Sequence, residues 1–180
     1  MHAPSPTRRF TIFAALLAVL VPAAAHAILV GVPKPDRLLV LMSQDADTIV
    51  VADVVSSIGV ELADSLASSR MGPVVMTRHE LVVRESWKGR ANAGDTLEVW
   101  TPGGSVPGSR NGYWIEDTAR LFPGDRYVLF LSRWRGRLSV REGEFGALEI
   151  REGRVQGYVT EGARDTSWLR KRVNAAIATR

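Results

Sequence analysis

The sequence predicts a mainly β fold that ends with one α-helix. The first indication is the segment VVMTRHELVVRESWKG, in which one face of an extended chain would carry Thr77, His79, Leu81 and Val83. The apolar side then shifts to Trp87, which indicates a β-bulge near Glu85. The second indication is RYVLFLS, residues 126–132, which is apolar on both faces like a strand covered on both sides. The third is a change to helical spacing within residues 161–180.

A β-branched run predicts the first long strand, which begins at Thr48 and continues to Val60. Residues 28–47 before it form an N-terminal linker or first element. Pro33 and Pro35 predict extended backbone there, whereas the following RLLVLMS fits either a strand or a short helix. Residues 61–73 after the strand fit a short helical turn or a flexible hairpin loop.

Gly-Asp turns introduce two further strands. In GDTLEVWTP the inward alternation would carry Leu97, Val99 and Thr101, and the turn Pro123-Gly124-Asp125 precedes RYVLFLS in the same way. Two shorter strands follow in GRLSVRE and ALEIREGRVQGYV, with Glu152-Gly153 as a hairpin turn. We therefore place the β domain in residues 48–160.

The last segment, DTSWLRKRVNAAIATR, predicts the C-terminal helix within residues 161–180. Helical spacing would place on one face Leu169, Val173, Ala176 and Ile177. Asp165 to Ser167 supply residues that commonly cap a helix N-terminus. Because the apolar face is small, docking on the β domain is favoured over binding to an anionic membrane surface.

The N-terminus has the pattern of a secretory signal peptide, residues 1–27. Arg8 and Arg9 precede the apolar run Phe10–Val21, Pro22 interrupts it, and Ala25-His26-Ala27 fits the cleavage pattern. We therefore expect a mature chain of residues 28–180, located in the periplasm or outside the cell and without stable membrane insertion. A retained signal anchor is the alternative, because the apolar character continues into ILVGV.

The amino-acid composition excludes several kinds of site and partner. The chain contains no cysteine, which excludes disulfides, thiolate metal sites and cysteine nucleophiles. An exported domain without disulfides must be stabilised by its own core, as in bacterial envelope proteins. The formal net charge of +4 is too small for a dedicated nucleic-acid binder, and no nucleic-acid partner is expected.

The order of these segments resembles a group of uncharacterised exported bacterial proteins. The shared features are, in order, TRHELVVRESWKG, GDTLEVWTPGG, FPGDRYVLFLS and GEFGALEI, and the resemblance covers about residues 48–150. It implies a small OB-like antiparallel β-barrel, distantly similar to the netrin-like and metalloproteinase-inhibitor domains. Those inhibitors reach zinc through an N-terminal cysteine that this chain lacks, so the resemblance implies no catalytic residue here.

Ser105, in GGSVPG, is the first candidate for catalysis. A nucleophile elbow requires Gly-x-Ser-x-Gly, but Pro107 occupies the position of the second glycine and Gly108 follows one residue late. A serine nucleophile also needs a base, and the mature chain has a single histidine, His79, within a predicted strand. We therefore interpret Ser105 as a loop serine.

No metal or other cofactor is expected. His79 could be a lone metal ligand or a general base, but no second histidine or cysteine completes a transition-metal site, so a polar residue in the barrel wall near Thr77 is favoured. The acids Asp45, Asp47 and Asp53 lack the glycine and distal glutamate of a calcium-binding loop. Glu142 and Glu144 could form a glycosidase pair, although nothing in the sequence sets their separation.

The candidate partner-binding surface is the rim of the glycine-rich loop. Its residues are Trp100, Ser105, Arg110, Tyr113 and Trp114. Aromatic side chains at a loop rim suit recognition of a protein or a sugar, although packing over the barrel end would place them there as well. A basic hairpin with an aromatic residue, SRWRGRLSVR, leaves single-stranded nucleic acid as an alternative ligand.

These observations predict an exported, non-enzymatic binding or interaction module whose partner is an envelope protein or a glycan. The chain is poor in the side-chain types that carry catalysis, so we assign no catalytic residue. Two alternatives remain from the residues alone. One is an envelope hydrolase that uses carboxylates, and the other is a barrel that binds single-stranded nucleic acid.

Overall fold

The computed structural model describes residues 33–62, 74–110 and 112–179. The predicted signal peptide and the segment 63–73 after the first long strand lie outside these residues. From Lys34 onward the chain forms one compact unit. Within it the predictions of a mainly β structure and of a C-terminal helix are confirmed.

The described chain begins with helix α1, Pro35–Asp45. The prediction of extended backbone was wrong for Pro35, which occupies the first turn of this helix. Proline is tolerated there because the first amide hydrogens of a helix have no acceptor within the helix. Of the two alternatives for RLLVLMS, the structure has the helix, which buries Leu38, Leu39 and Met42.

Ten strands and a second α-helix follow. The strands are β1 Thr48–Leu62, β2 Val74–Lys88, β3 Thr96–Pro102, β4 Gly104–Ser105, β5 Gly112–Tyr113, β6 Arg126–Trp134, β7 Arg137–Val140, β8 Ala147–Arg151, β9 Arg154–Gln156 and β10 Arg164–Asp165. Two 3-10 helices, Gly143–Gly146 and Tyr158–Thr160, separate the later strands. The C-terminal helix α2, Thr166–Ala178, is shorter than the range 161–180 predicted for it.

The strand pairings return to their starting point. β1 pairs with β2, β2 with β3, β3 with β7, β7 with β6, and β6 again with β1. All of these pairings are antiparallel except the one between β3 and β7, which is parallel. On the other side of β6 the sheet continues through β8, β9 and β10, while β4 and β5 form a separate two-stranded sheet.

The predicted faces of β2 are confirmed. Thr77 is half-buried and His79, Leu81 and Val83 are buried, whereas Arg78, Glu80 and Arg84 on the opposite face are exposed. The predicted bulge near Glu85 is also confirmed, because the register between β1 and β2 shifts on both sides of that residue. The turns at Gly124 and at Glu152-Gly153 have the positive φ angles that tight turns require.

Two cores lie on opposite faces of β1 and β6. On one face, Ile49 and Phe130 pack with residues of α1 and α2. On the other, Val50 and Leu129 pack with residues of β2 and β3. The prediction that RYVLFLS is covered on both sides is therefore confirmed. Asp165 caps α2 by accepting a hydrogen bond from the Ser167 amide, as predicted. Neither helix of the described residues is long and apolar enough to cross a membrane.

The short sheet of β4 and β5 lies against the far ends of β1 and β2. Gly59 of β1 lies so close to β4 that a Cβ atom there would overlap the Ser105 carbonyl oxygen. From β2, Thr77 Oγ1 donates a hydrogen bond of 2.8 Å to the Gly103 carbonyl. The absence of a side chain at position 59 and one side-chain hydrogen bond thus fix the glycine-rich loop on the sheet.

We expect Gly59→Ala to lower the free energy of unfolding by roughly 1–3 kcal/mol, the usual cost of overpacking. The added methyl group meets backbone atoms of Ser105, which cannot move without shifting β4. Urea denaturation followed by tryptophan fluorescence measures the change. The control is Ser56→Ala at an exposed neighbour on β1, for which we expect a change within about 0.5 kcal/mol. Equal midpoints for both variants would contradict the close contact.

Candidate functional site

The segment between β5 and β6, residues 114–125, exposes large apolar side chains. We call the aromatic surface the four residues Trp114, Ile115, Phe122 and Tyr158, of which the first three lie on this segment. Their exposed fractions are 64% for Trp114, 42% for Ile115, 56% for Phe122 and 43% for Tyr158. Scattered single apolar residues are normal on a protein surface, but several that surround the same depressions mark a binding site.

Specific contacts hold this segment in place. Ala119 and Leu121 are buried and anchor it to the core. The Glu144 amide donates a hydrogen bond of 3.0 Å to the Asp117 carbonyl, which ties the segment to the first 3-10 helix. Gly143 lies directly over the same carbonyl, where a Cβ atom would overlap the oxygen. The exposed residues therefore lie on a segment that is fixed by the backbone hydrogen bond at Asp117 and by the buried side chains of Ala119 and Leu121.

A wide cleft of about 620 Å³ lies on one side of the segment. Its aromatic lining consists of Phe122, Tyr127, Phe145 and Tyr158. The ring centres of Phe145 and Tyr158 are 5.2 Å apart in a tilted arrangement, which is a favourable geometry for two aromatic rings. The same cleft carries the carboxylates of Asp117, Glu144 and Glu149.

A narrow pocket of about 220 Å³ lies on the other side of the segment. The polar side chains that line it from the strands are Ser57 of β1, Thr77 and His79 of β2, Thr101 of β3 and Ser105 of β4. Trp114, Arg120 and Phe122 line it from the segment itself. The wide cleft and the narrow pocket share Ala119, Arg120 and Phe122, so the two depressions are neighbours.

His79 is buried between two hydroxyl groups. Its Nδ1 lies 2.7 Å from Ser57 Oγ, and its Nε2 lies 2.9 Å from Thr101 Oγ1. Burial lowers the pKa of His79 to about 4, because the charged imidazolium would be poorly solvated there. The imidazole is neutral near pH 7 and is a weak general base. The contact between Ser57 Oγ and His79 Nδ1 therefore has the geometry of a nucleophile and its base but not the basicity that such a pair uses.

The structure separates the five residues predicted for the binding rim. Ser105 and Trp114 both line the narrow pocket. Tyr113 is exposed on β5, and Arg110 is exposed in the turn between β4 and β5. Trp100 is only 8% exposed, because Arg137 lies over its ring at 5.1 Å and its indole nitrogen donates to Glu98. Trp100 therefore lines neither the cleft nor the pocket.

Sequence reasoning missed Ile115, Arg120, Phe122 and Tyr158. Phe122 immediately precedes the Pro-Gly turn, so an isolated aromatic residue in a turn-rich segment was a signal that could have been used. Gly112, which ends the glycine-rich loop, lies in a strand. It pairs with Ser105 and begins β5, because two residues on each side suffice for a short hairpin ladder.

The charged residues considered in the sequence have partners on the surface. Asp53 pairs with Arg126 and Arg84, and the hydrogen bond from Arg126 is the largest cause that lowers the pKa of Asp53. Asp45 pairs with Arg141. Among the described residues, no group of three or more His, Cys, Asp or Glu side chains is arranged to hold a metal ion.

The basic hairpin, residues 132–141, forms an ion pair at its last residue. Arg141 pairs with Glu142, whereas Glu149 pairs with Arg151 outside the hairpin. Arg135 lies over the ring of the exposed Trp134 at 4.7 Å. The hairpin tip is thus an exposed tryptophan with an arginine against it, which is the same combination as Trp114 with Arg120 at 5.2 Å.

We expect the stability of the protein to fall as the pH is lowered from about 6.5 to about 4. The folded-state pKa of His79, about 4, lies below the unfolded value of 6.5. In this window the unfolded chain binds a proton that the folded chain does not, so acid favours unfolding by up to about 3 kcal/mol. Urea denaturation at several pH values measures the effect. The control is His79→Gln, which removes the titrating group and should flatten this pH window; an unchanged profile would contradict the assignment.

Comparison with known proteins does not add a second source of evidence for the site. No family model matches the chain, and no curated protein is significantly similar to it in sequence. The function must therefore be inferred from the geometry of the aromatic surface, the wide cleft and the narrow pocket.

Proposed function

We propose that the protein is an exported, non-enzymatic binding module whose binding site is the aromatic surface. The observation that carries this proposal is the grouping of Trp114, Ile115, Phe122 and Tyr158 around two adjacent depressions. Large apolar side chains that remain exposed lose contact with water when a partner covers them, which makes association favourable. Tryptophan and tyrosine are also the residues that most often dominate binding energy.

The charged residues near the aromatic surface favour binding of a specific partner over nonspecific hydrophobic association. Arg120 lies over Trp114, and the wide cleft is lined by carboxylates as well as by aromatic side chains. An apolar centre with polar groups at its edge is the usual anatomy of a specific interface. The partner that we propose is an envelope protein or a glycan, because both present ring or apolar faces together with hydrogen-bonding groups.

The fold that we propose is the OB-like barrel implied by the resemblance. The support is the pairing of β1, β2, β3, β7 and β6 in a circuit that comes back to β1. A five-stranded, partly open barrel with this kind of circuit is a frequent scaffold for binding. In such a barrel, β4, β5 and the segment 114–125 would lie across one end.

We also propose export with removal of residues 1–27. The support is the sequence Arg8-Arg9, the apolar run Phe10–Val21 and the Ala25-His26-Ala27 site. We expect N-terminal sequencing of the protein recovered from the periplasm or the medium to begin at Ile28. A chain that keeps its N-terminus and fractionates with membranes would instead favour the signal anchor.

The decisive experiment for binding is affinity capture from envelope extract with three forms of the purified protein. We expect Trp114→Ala combined with Phe122→Ala to weaken capture of the bound partner at least about tenfold, because both side chains contribute as hot spots. The matched control is Trp134→Ala, which removes another exposed tryptophan, 51% exposed, from the β6–β7 hairpin and should leave capture unchanged. If all three forms capture the same partners equally well, the aromatic surface is not the binding site.

A second candidate function, an envelope hydrolase, is favoured by the carboxylates of the wide cleft. Asp117, Glu144 and Glu149 line it together with aromatic side chains against which a sugar ring could lie. Turnover of an envelope glycan that is abolished by Glu144→Gln, with binding retained, would establish this function and replace the first proposal. Binding without turnover supports the module.

A further inference from the structure

We call the floor of the narrow pocket the polar side chains that line it from β1, β2 and β3, which are Ser57, Thr77, His79 and Thr101. An apolar partner would form no hydrogen bonds with these groups, so the pocket favours a polar ligand. We propose that it binds a single pyranose ring of a carbohydrate, through hydroxyl groups on the floor and a ring face on Trp114. The inference rests on the proposed binding function and names the ligand of one of its two depressions. The argument depends on hydrogen-bonding capacity, charge and size.

Two hydroxyl groups of the lining, those of Ser57 and Thr77, offer acceptors to a ligand. The hydroxyl hydrogen of Thr77 is already donated to the Gly103 carbonyl at 2.8 Å. The hydroxyl hydrogen of Ser57 has two acceptors available inside the protein, His79 Nδ1 at 2.7 Å and the Leu121 carbonyl at 3.3 Å. The hydroxyl groups of Thr101 and Ser105 line the pocket as well, and a hydroxyl group can donate or accept. A ligand that fits this lining brings donors for Ser57 and Thr77 and can also accept hydrogen bonds, as a sugar hydroxyl does.

The charge of the lining favours an uncharged ligand over a cationic one. Its only charged side chain is Arg120, and it contains no carboxylate. The His79 imidazole is neutral at ordinary pH because it is buried. An ammonium ligand would meet the guanidinium of Arg120, whereas a carboxylate could pair with Arg120 but would bring no donor to Ser57 and Thr77. An uncharged ligand with several hydroxyl groups can donate to Ser57 and Thr77 and accept from Arg120.

The size and the walls favour a ring. The volume of about 220 Å³ is about a third of the 620 Å³ of the wide cleft, which suits one small ring rather than an extended chain. Trp114 remains 64% exposed although Arg120 lies over its ring, so most of the indole is open to a ligand. The C–H face of a pyranose can pack on the indole while its hydroxyl groups point to the floor.

A wholly apolar occupant fits less well. It would remove Ser57 and Thr77 from water without replacing the hydrogen bonds that water makes to their lone pairs, which costs free energy. A sugar replaces those bonds. The ring could be a free monosaccharide or the terminal residue of a glycan whose next residues enter the wide cleft, since Arg120 and Phe122 line both depressions.

The test is titration of the purified, ¹⁵N-labelled protein with methyl α-glucopyranoside, methyl β-galactopyranoside, N-acetylglucosamine and chitotriose. We expect at least one of them to cause saturable shifts of the amide signals of Thr77, Ser105 and Trp114, with a dissociation constant on the order of millimolar for a single ring. Tighter binding of chitotriose than of N-acetylglucosamine identifies a glycan terminus as the source. Equal binding identifies a free sugar.

Two tryptophan variants make the assignment specific. Trp114→Ala should weaken binding at least about tenfold, since it removes the stacking wall from an exposed position without opening the core. Trp134→Ala is the matched control, because that residue is also an exposed tryptophan with an arginine over its ring, and it should bind as the parent protein does.

Absence of saturable shifts with every saccharide overturns the proposal, and so does a Trp114→Ala variant that binds as tightly as the parent. These results are separable from failure of the proposed function. If no sugar binds but the aromatic-surface variant still loses its captured partner, the binding module stands and only the sugar assignment is wrong. If a sugar binds in the narrow pocket but the double variant of Trp114 and Phe122 captures partners as well as the parent protein does, the proposal that the aromatic surface is the binding site is wrong.

Discussion

The pairing of β1 on both of its edges is the interaction on which the rest of the structure depends. Residues 49–53 are paired with β2 on one side and with β6 on the other, and they are buried except at Asp53, which is partly exposed. Buried backbone groups must find partners, and this strand satisfies both edges within the sheet. Both cores, the helices α1 and α2 and the continuation toward β8 are attached to this one element or to its partner β6.

The candidate site lies beyond the part of β1 that is buried in the core and paired with β6. Beyond Val54 the strand loses its pairing with β6, its side chains become partly polar, and Ser57 and Gly59 appear on it. Ser57 holds one nitrogen of His79, and Gly59 lets β4 approach closely. The same strand that builds the core at one end therefore supplies one wall of the narrow pocket at the other.

Local patterns predicted the elements whose form depends on local chemistry. The faces of β2, the turn before β6, the cap of α2 and the bulge near Glu85 all follow from residues that are adjacent in the sequence. The helix at Pro35 was ambiguous because a short apolar run fits a strand or a helix equally well. The proline at its start did not resolve the ambiguity, because proline disrupts the interior of a helix but is tolerated in its first turn.

The site was less predictable because its parts come from distant segments. Nothing near Phe122 in the sequence reveals that it will border both depressions, since the segment is held by Glu144 and by residues of β1. Trp100 was predicted on the rim from its proximity to the loop. Its burial depends on Arg137 from β7, which pairs in parallel with β3. Exposure of an aromatic side chain is set by its tertiary neighbours, and a single sequence carries little information about them.

The double pairing of β1 also has a consequence for how the chain folds. Its contact with β6 joins residues that are 73 positions apart, as in the ion pair of Asp53 with Arg126. Closing so long a loop costs conformational entropy before the contacts of the core form and offset that cost. Proteins dominated by such contacts fold slowly, on a timescale of about milliseconds to seconds. The pairing of β1 with β2 closes a shorter loop than its pairing with β6. Of the two edges of β1, the one covered by β6 therefore carries the larger entropic cost of closure.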